Sequence, residues 1–283
     1  MKKAAKNIFK GFVSGSLAAL VTLLVIGVVL AYNDPLAHLS VPARPSQPLT
    51  VNSSPDDVLG LMLDSDQTWD SLQADYVLTN FDPKSGRSTR ETQRFWLDKK
   101  GELARVEIEG AHPIIFVRGA KTLLQENTRS KVYLQTAIPG TFQYNGYNPR
   151  AWLADGSHVV YLHPFGKALP TGYYDFLYPT AIAQGLITNR ATGLESVKVV
   201  GAEEVAGRQT IIISRMPKNH LYWVDAETGV ILRAQYIGTA ARWQVQFEAQ
   251  SISYGLKIPA SVFQYTPPQD ARQVTPAEFQ AQP

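Results

Sequence analysis

Five histidines, a pair of acids in one turn and a lack of cysteine bound the chemistry open to this 283-residue chain. The histidines are His38, His112, His158, His163 and His220. His158 and His163 stand closest and could meet on a metal. No carboxylate or third histidine stands at ligand spacing beside them, and the segment reads as loop. They are read as two loop histidines, and no metal or other cofactor is expected. Asp225 and Glu227 place two carboxylates in one turn. General acid and base work needs such a pair; solvated hairpin residues look the same, and that is the reading taken here. The sequence holds no G-x-S-x-G elbow, no phosphate-binding glycine loop and no H-E-x-x-H. With no cysteine, disulfides, thiolate metal sites, cysteine nucleophiles and a lipid-modified cysteine are excluded together. No catalytic residue is assigned.

What the sequence supplies instead is apolar surface. Hydrophobic residues make up 45% and aromatics 10%, enough to bury a substantial core. The net charge of +3 is misleading. Lys2, Lys3, Lys6 and Lys10 carry four of the 27 basic charges, and no acid precedes Asp34. Without them the balance is 23 basic against 24 acidic residues. No basic stripe is left to neutralise a phosphate backbone, so nucleic acid is not expected as a partner.

The stretch from Gly11 to Tyr32 has no charged side chain. As a helix it would span about 33 Å, enough for a bilayer core. The lysines before it and Asp34 after it predict a cytoplasmic tail at 1–10, a transmembrane helix at 11–32, and the bulk of the chain outside the inner (cytoplasmic) membrane, in the periplasm or an extracytoplasmic space. A cleaved signal ending at Ala31 is the competing reading, although the apolar run is longer than the usual signal core of about 7–15 residues. Both readings export the domain. Residues 33–54, rich in Pro and Ser, read as an extended tether. Asn52-Ser53-Ser54 matches a glycosylation acceptor, a short and common pattern.

From 55 to 275 the pattern is that of one domain. Ser54-Pro55-Asp56-Asp57 is a helix start, followed by Val58, Leu59, Met62 and Leu63 on one face and an end near Asp70. Then the period becomes two. LQADYVLTNF, TQRFWLD, ELARVEIEG, HPIIFVRG and KVYLQTA read as an antiparallel meander. Residues 140–190 interrupt it with Gly, Pro and aromatics, and Ala181–Ile187 reads as a short helix opened by Pro179. Strands resume in VKVVGAEEVAGRQTIIISRMP, in the hairpin HLYWVDAETGVILRAQYI and in RWQVQFEAQSISY. IPASVFQYTPP reads as the last strand, and 276–283 as a frayed tail.

A sheet with one apolar face must cover it. The first helix and the insertion are the available cover. Imperfect cover leaves a groove, and an apolar groove takes a lipid or an apolar peptide. Tyr76, Trp96, Trp223, Trp243, Val245, Phe247 and Phe263 are the expected groove lining. Phe176, Leu177, Ile182, Leu186 and Ile187 are the expected lid. The same aromatic residues could equally fill a packed core.

The order of pieces resembles the superfamily of the periplasmic lipoprotein carriers LolA and LolB and the sigma-E regulator RseB. The likeness covers roughly 55–275. It rests on DSLQADYVLTN, QRFWLDKKGELARVEI, the apolar helical insertion, Trp223-Val224-Asp225 through Gly229 to Arg233, and Phe263 through Tyr265 to Pro267-Pro268. It implies a strongly curved, open antiparallel half-barrel under a helical lid, with no catalysis. It also implies a lipid or lipoprotein acyl chain, or an envelope protein, as partner. The chain departs from the carriers in its expected tether, which argues against shuttling between membranes. Lys100 and Arg105 do not match the basic residue that holds the carriers' lid, and no RseB-type second domain is expected after Pro276. Three hypotheses follow: a lipid- or lipoprotein-binding module, an envelope sensor or protein-interaction module, and an enzyme, which a buried cluster of titratable residues would revive.

Overall fold

The computed structural model describes residues 39–137, 150, 174–237 and 244–281. Twelve strands form one sheet: β1 (Ser71–Asp82), β2 (Arg87–Asp98), β3 (Leu103–Glu109), β4 (Ile114–Arg118), β5 (Thr122–Asn127), β6 (Val132–Ala137), β7 (Ser196–Val205), β8 (Arg208–Met216), β9 (His220–Asp225), β10 (Ile231–Ile237), β11 (Gln244–Tyr254) and β12 (Arg272–Gln273). The helices are α1 (Pro55–Leu63), α2 (Tyr174–Leu177), α3 (Thr180–Ala191) and α4 (Pro276–Gln280). The spatial order is β12-β6-β5-β4-β3-β2-β1-β11-β10-β9-β8-β7. Among the described residues only β12 with β6 is parallel. The sheet is open, with β12 and β7 at its ends. The mainly β class and the open antiparallel sheet agree with the sequence expectation.

Alternation decides which face is covered. Ala74, Phe95, Val106 and Phe116 form one buried row across β1 to β4. On the other side of β1, a second row runs Leu78, Phe247, Ala234, Tyr222, Ile213 and Val199. Both rows belong to one continuous core, to which α1 adds Val58, Leu59, Leu61, Met62 and Leu63. The start of α1 is the expected one. Asp57 N donates to Ser54 Oγ at 3.1 Å, Ser54 N donates to Asp57 Oδ2 at 2.8 Å, and Pro55 occupies the first turn. The helix stops at Leu63, and a 3-10 turn at Ser65–Gln67 replaces its expected last turn. α3 runs longer than the expected Ala181–Ile187, beginning directly after Pro179.

Three expectations are corrected. Residues 39–54 are not a free tether. Leu49 is buried and its N–H donates to Ala226 O at 2.9 Å, while Leu39 and Val41 pack on the core. Three apolar side chains outweigh the linker-like composition, and the strap lies directly on α1: a Cβ on Gly60 would stand 2.0 Å from Ala43 O. Next, IPASVFQYTPP is not a strand. Ala260–Phe263 turns as a 3-10 helix after Pro259, and the Val262 carbonyl accepts from Arg105 Nη1 at 2.9 Å. Finally, Pro276–Gln280 forms a helix under a Thr275–Glu278 capping box rather than fraying. No helix among the described residues is long and apolar enough to cross a membrane; the expected span at 11–32 lies outside them.

Candidate functional site

The covered face carries an aromatic seam. The Tyr76 and Phe247 rings stack with centroids 4.4 Å apart and planes at 8°, and Phe95 meets Tyr76 edge-on at 5.9 Å. Phe176 of α2 lies 5.0 Å from Phe247 and 6.3 Å from Tyr236. Tyr236 continues the seam to Tyr222 at 6.1 Å and to His220 at 4.3 Å. The Tyr76 hydroxyl, wholly buried, donates to Ile231 O at 3.2 Å. Burial, with Asp225 nearby, pushes this phenol well above its usual range. Val245 flanks the seam, half-buried between Asn80 and Tyr236.

The expected lid sits on this seam and on α1. Phe176, Leu177, Leu186 and Ile187 are buried, and Ile182 packs half-buried against the core. Two polar ties join α3 to α1: Thr180 Oγ1 donates to Leu63 O at 3.3 Å, and Arg190 pairs with Asp56. Arg150 adds a clamp. It reaches Asp64 through Nε at 3.0 Å and Nη2 at 2.8 Å, Gly60 O at 3.0 Å, and Pro42 O. One guanidinium thus bridges the strap and α1.

The other expected groove residues are not brought to the seam. Trp96 pairs across β1 and β3 with Gln73 and Arg105, on the outer face, and the Arg105 guanidinium lies 5.9 Å from its ring. Trp223 is on the outer face too. Its Nε1 donates to Glu203 Oε2 at 2.9 Å, and Arg233 lies 5.0 Å over its ring while donating to Glu203 at 2.9 Å and Glu248 at 2.7 Å. A tryptophan can be buried by stacked guanidinium and carboxylate as well as by a core. Phe263 is buried with the C-terminal segment, beside Val262 and Arg105, apart from the main core. Trp243, like His158 and His163, lies outside the described residues. Sequence reasoning missed Phe95, Tyr222 and Tyr236. Strand parity was the available signal: in QRFWLD, Phe95 and Leu97 share a face and Trp96 takes the other.

Asp225 is not solvated. It is 1% exposed and pairs with Arg208, accepts from the backbone N–H of Glu227 at 2.9 Å and of Thr228 at 3.1 Å, and takes the Tyr254 hydroxyl at 3.4 Å. Glu227 does remain in solvent. Asp225 therefore organises the β9–β10 turn, whose Gly229 (φ +75°) packs on α1: a Cβ there would stand 2.6 Å from Leu61 O.

Beyond the far end of the seam is a charged cluster. Glu195 takes Arg215 through both oxygens, at 2.6 and 2.7 Å, and Lys218 at 3.1 Å. Burial alone would raise its pKa, but hydrogen bonds from Arg215, Lys218 and Asn189 outweigh that and hold it at about 2. Burial, then repulsion by Arg215 and Lys218, lowers His220 to about 4, so the ring facing Tyr236 is neutral at physiological pH.

Among the described residues, two cavities lie elsewhere on the fold. One of about 320 Å³ is lined by Gln67, Thr68, Trp69, Asp70, Tyr254 and Gly255. Another of about 330 Å³ lies between the strap and the β7–β8 and β9–β10 turns. Neither touches the seam. Among the described residues no three His, Asp or Glu side chains come together to hold a metal.

No family model matches the sequence, and no curated protein matches it. Solved structures do. The MucA/MucB complex of Pseudomonas aeruginosa is similar at 13% identity and TM-score 0.40, over 74% of this chain and 60% of that one. The lipoprotein LppX of Mycobacterium tuberculosis is similar at 9% identity and TM-score 0.36, over 73% of this chain and 100% of that one. A LolA superfamily protein of Nitrosomonas europaea is similar at 10% identity and TM-score 0.29, over 75% of this chain and 98% of that one. The chain spans about three fifths of the MucB chains it matches.

Proposed function

We propose that this chain is a membrane-anchored extracytoplasmic binding protein that holds a lipid or lipoprotein acyl chain between its sheet and its helical lid, without catalysis. Residues 11–32 are the anchor in this reading, and the sheet is a half-barrel. The observation that supports it is the seam of Tyr76, Phe247, Phe176 and Tyr236 under two short helices. The seam is closed, since Tyr76 and Phe247 have no exposure and Phe176 only 3%. An acyl chain would take the place of Phe176. That exchange swaps one apolar contact for another, so its cost is the lid's displacement rather than unpaired polar groups.

The test is lipid extraction and mass spectrometry of the purified full chain, beside a Phe176→Asp variant. Acyl lipid retained in near-stoichiometric amount by the parent and lost from the variant is the expected result. Equal traces in both would sink the proposal. The second reading is an envelope sensor or protein-interaction module of RseB type. The dryness of the seam favours it, because a filled face leaves the surface to do the work.

A further inference from the structure

Five large apolar side chains are exposed among the described residues, and three of them lie along one edge of the sheet. Leu194 is 68% exposed, Val200 56% and Met216 43%. Leu194 precedes β7, Val200 is at its middle, and Met216 pairs with Ser196 at its start. β7 is ten residues long, and among the described strands its backbone ladder pairs with β8 alone. A long apolar edge that no other described strand pairs invites another strand. Proteins guard such edges with charge, and β7 does carry Lys198, Glu203 and Glu204, but their placement is self-complementary.

We propose that β7 pairs with β7 of a second copy, antiparallel about a two-fold axis between Val200 and Gly201. In an isologous contact residue i meets j and j meets i. This axis sets Lys198 opposite Glu203, Val199 opposite Ala202 and Val200 opposite Gly201. The faces agree. Lys198 sits level with Ser214 and Glu203 with Thr210 on β8, and both stand on the outer face with Trp223. Lys198 is exposed and makes no ion pair among the described residues. Glu203 keeps 46% of its side chain exposed while binding Trp223 and Arg233, so an oxygen lone pair remains for a lysine. The bulge between Val199 and Gly201 falls on the axis, so both copies bend at the same point. Gly201 adds no side chain opposite Val200, which leaves room for the two valines to approach.

The lack of cysteine makes the test clean, because an introduced thiol can only bridge two chains. Val200→Cys in the full chain, purified in detergent and mildly oxidised, is expected to give a disulfide-linked dimer. Leu256→Cys and Val51→Cys are controls of similar exposure, at 42% and 53%, that lie outside β7, and are expected to stay monomeric. Adding Lys198→Glu sets like charges opposite each other twice per dimer. It is expected to slow the Val200→Cys cross-link by roughly tenfold. In the cysteine-free chain, Lys198→Glu is expected to shift the monomer–dimer midpoint in sedimentation to higher concentration by a similar factor. A Val200→Cys variant that cross-links no faster than the controls overturns the proposal. So does a sedimenting dimer that Lys198→Glu leaves unchanged, because it would be held together elsewhere.

Discussion

Two helix glycines make opposite predictions from the same substitution. Gly→Ala inside a helix stabilises by about 1 kcal/mol when nothing else changes. Gly185 in α3 has no atom within 4 Å of where a Cβ would stand. Gly185→Ala should therefore gain about that amount. Gly60 in α1 has Ala43 O at 2.0 Å from that position and Ala43 C at 2.9 Å. Both are backbone atoms, so no rotamer relieves the clash, and the strap has to lift. Lifting it exposes Leu49, now 5% exposed, and loosens Leu39 and Val41. Losing one buried leucine and part of two more apolar contacts costs about 3 kcal/mol. Against the helix gain, Gly60→Ala should lower stability by about 2 kcal/mol. Urea unfolding of both variants measures it, with the midpoint moving down for Gly60→Ala and up for Gly185→Ala. If both variants gain stability, the strap is not seated on α1 and the account of the N-terminal segment is wrong.

Arg150→Ala leaves the Asp64 carboxylate, 8% exposed, without its bidentate partner. Because Arg150 is itself 25% exposed, the expected loss is about 2–3 kcal/mol, below the range for a fully buried pair. Adding Asp64→Asn should recover most of it in the same unfolding assay. His220 gives a pH dependence. Its folded pKa, about 4, lies below the ordinary 6.5, so between those values the unfolded chain binds the extra proton. Its contribution is present above pH 6.5 and is lost as pH falls toward 4. With the ring only half-buried, that loss is about 1–3 kcal/mol. His220→Phe should flatten stability over that window, and an unchanged slope would assign it to other groups.

Much of the sheet could be read from alternation. LQADYVLTNF and RWQVQFEAQSISY became β1 and β11, and they bring Tyr76 and Phe247 face to face. The burial of Phe176, Leu177, Leu186 and Ile187 was legible because an apolar helix beside an uncovered face has one place to go. The tryptophans were misplaced because size alone argued for the groove, whereas Trp96 and Trp223 are roofed by Arg105 and Arg233 on the outer face. No sequence period records that kind of burial. The strap escaped notice for the converse reason. Its prolines and serines signal a linker, and the three apolar residues that dock it follow no regular spacing. Its docking bears on the proposed anchor. With 11–32 in a bilayer, only residues 33–38 separate the membrane from the strap's first described residue, at most about 20 Å when extended. The strap then rests on α1 at Gly60, and α1 holds α3 through Leu63 and Asp56. A pull on the N-terminal segment would therefore reach α3 through one helix. If 11–32 is the anchor, that path would join the membrane surface to the seam without requiring the domain to leave the membrane.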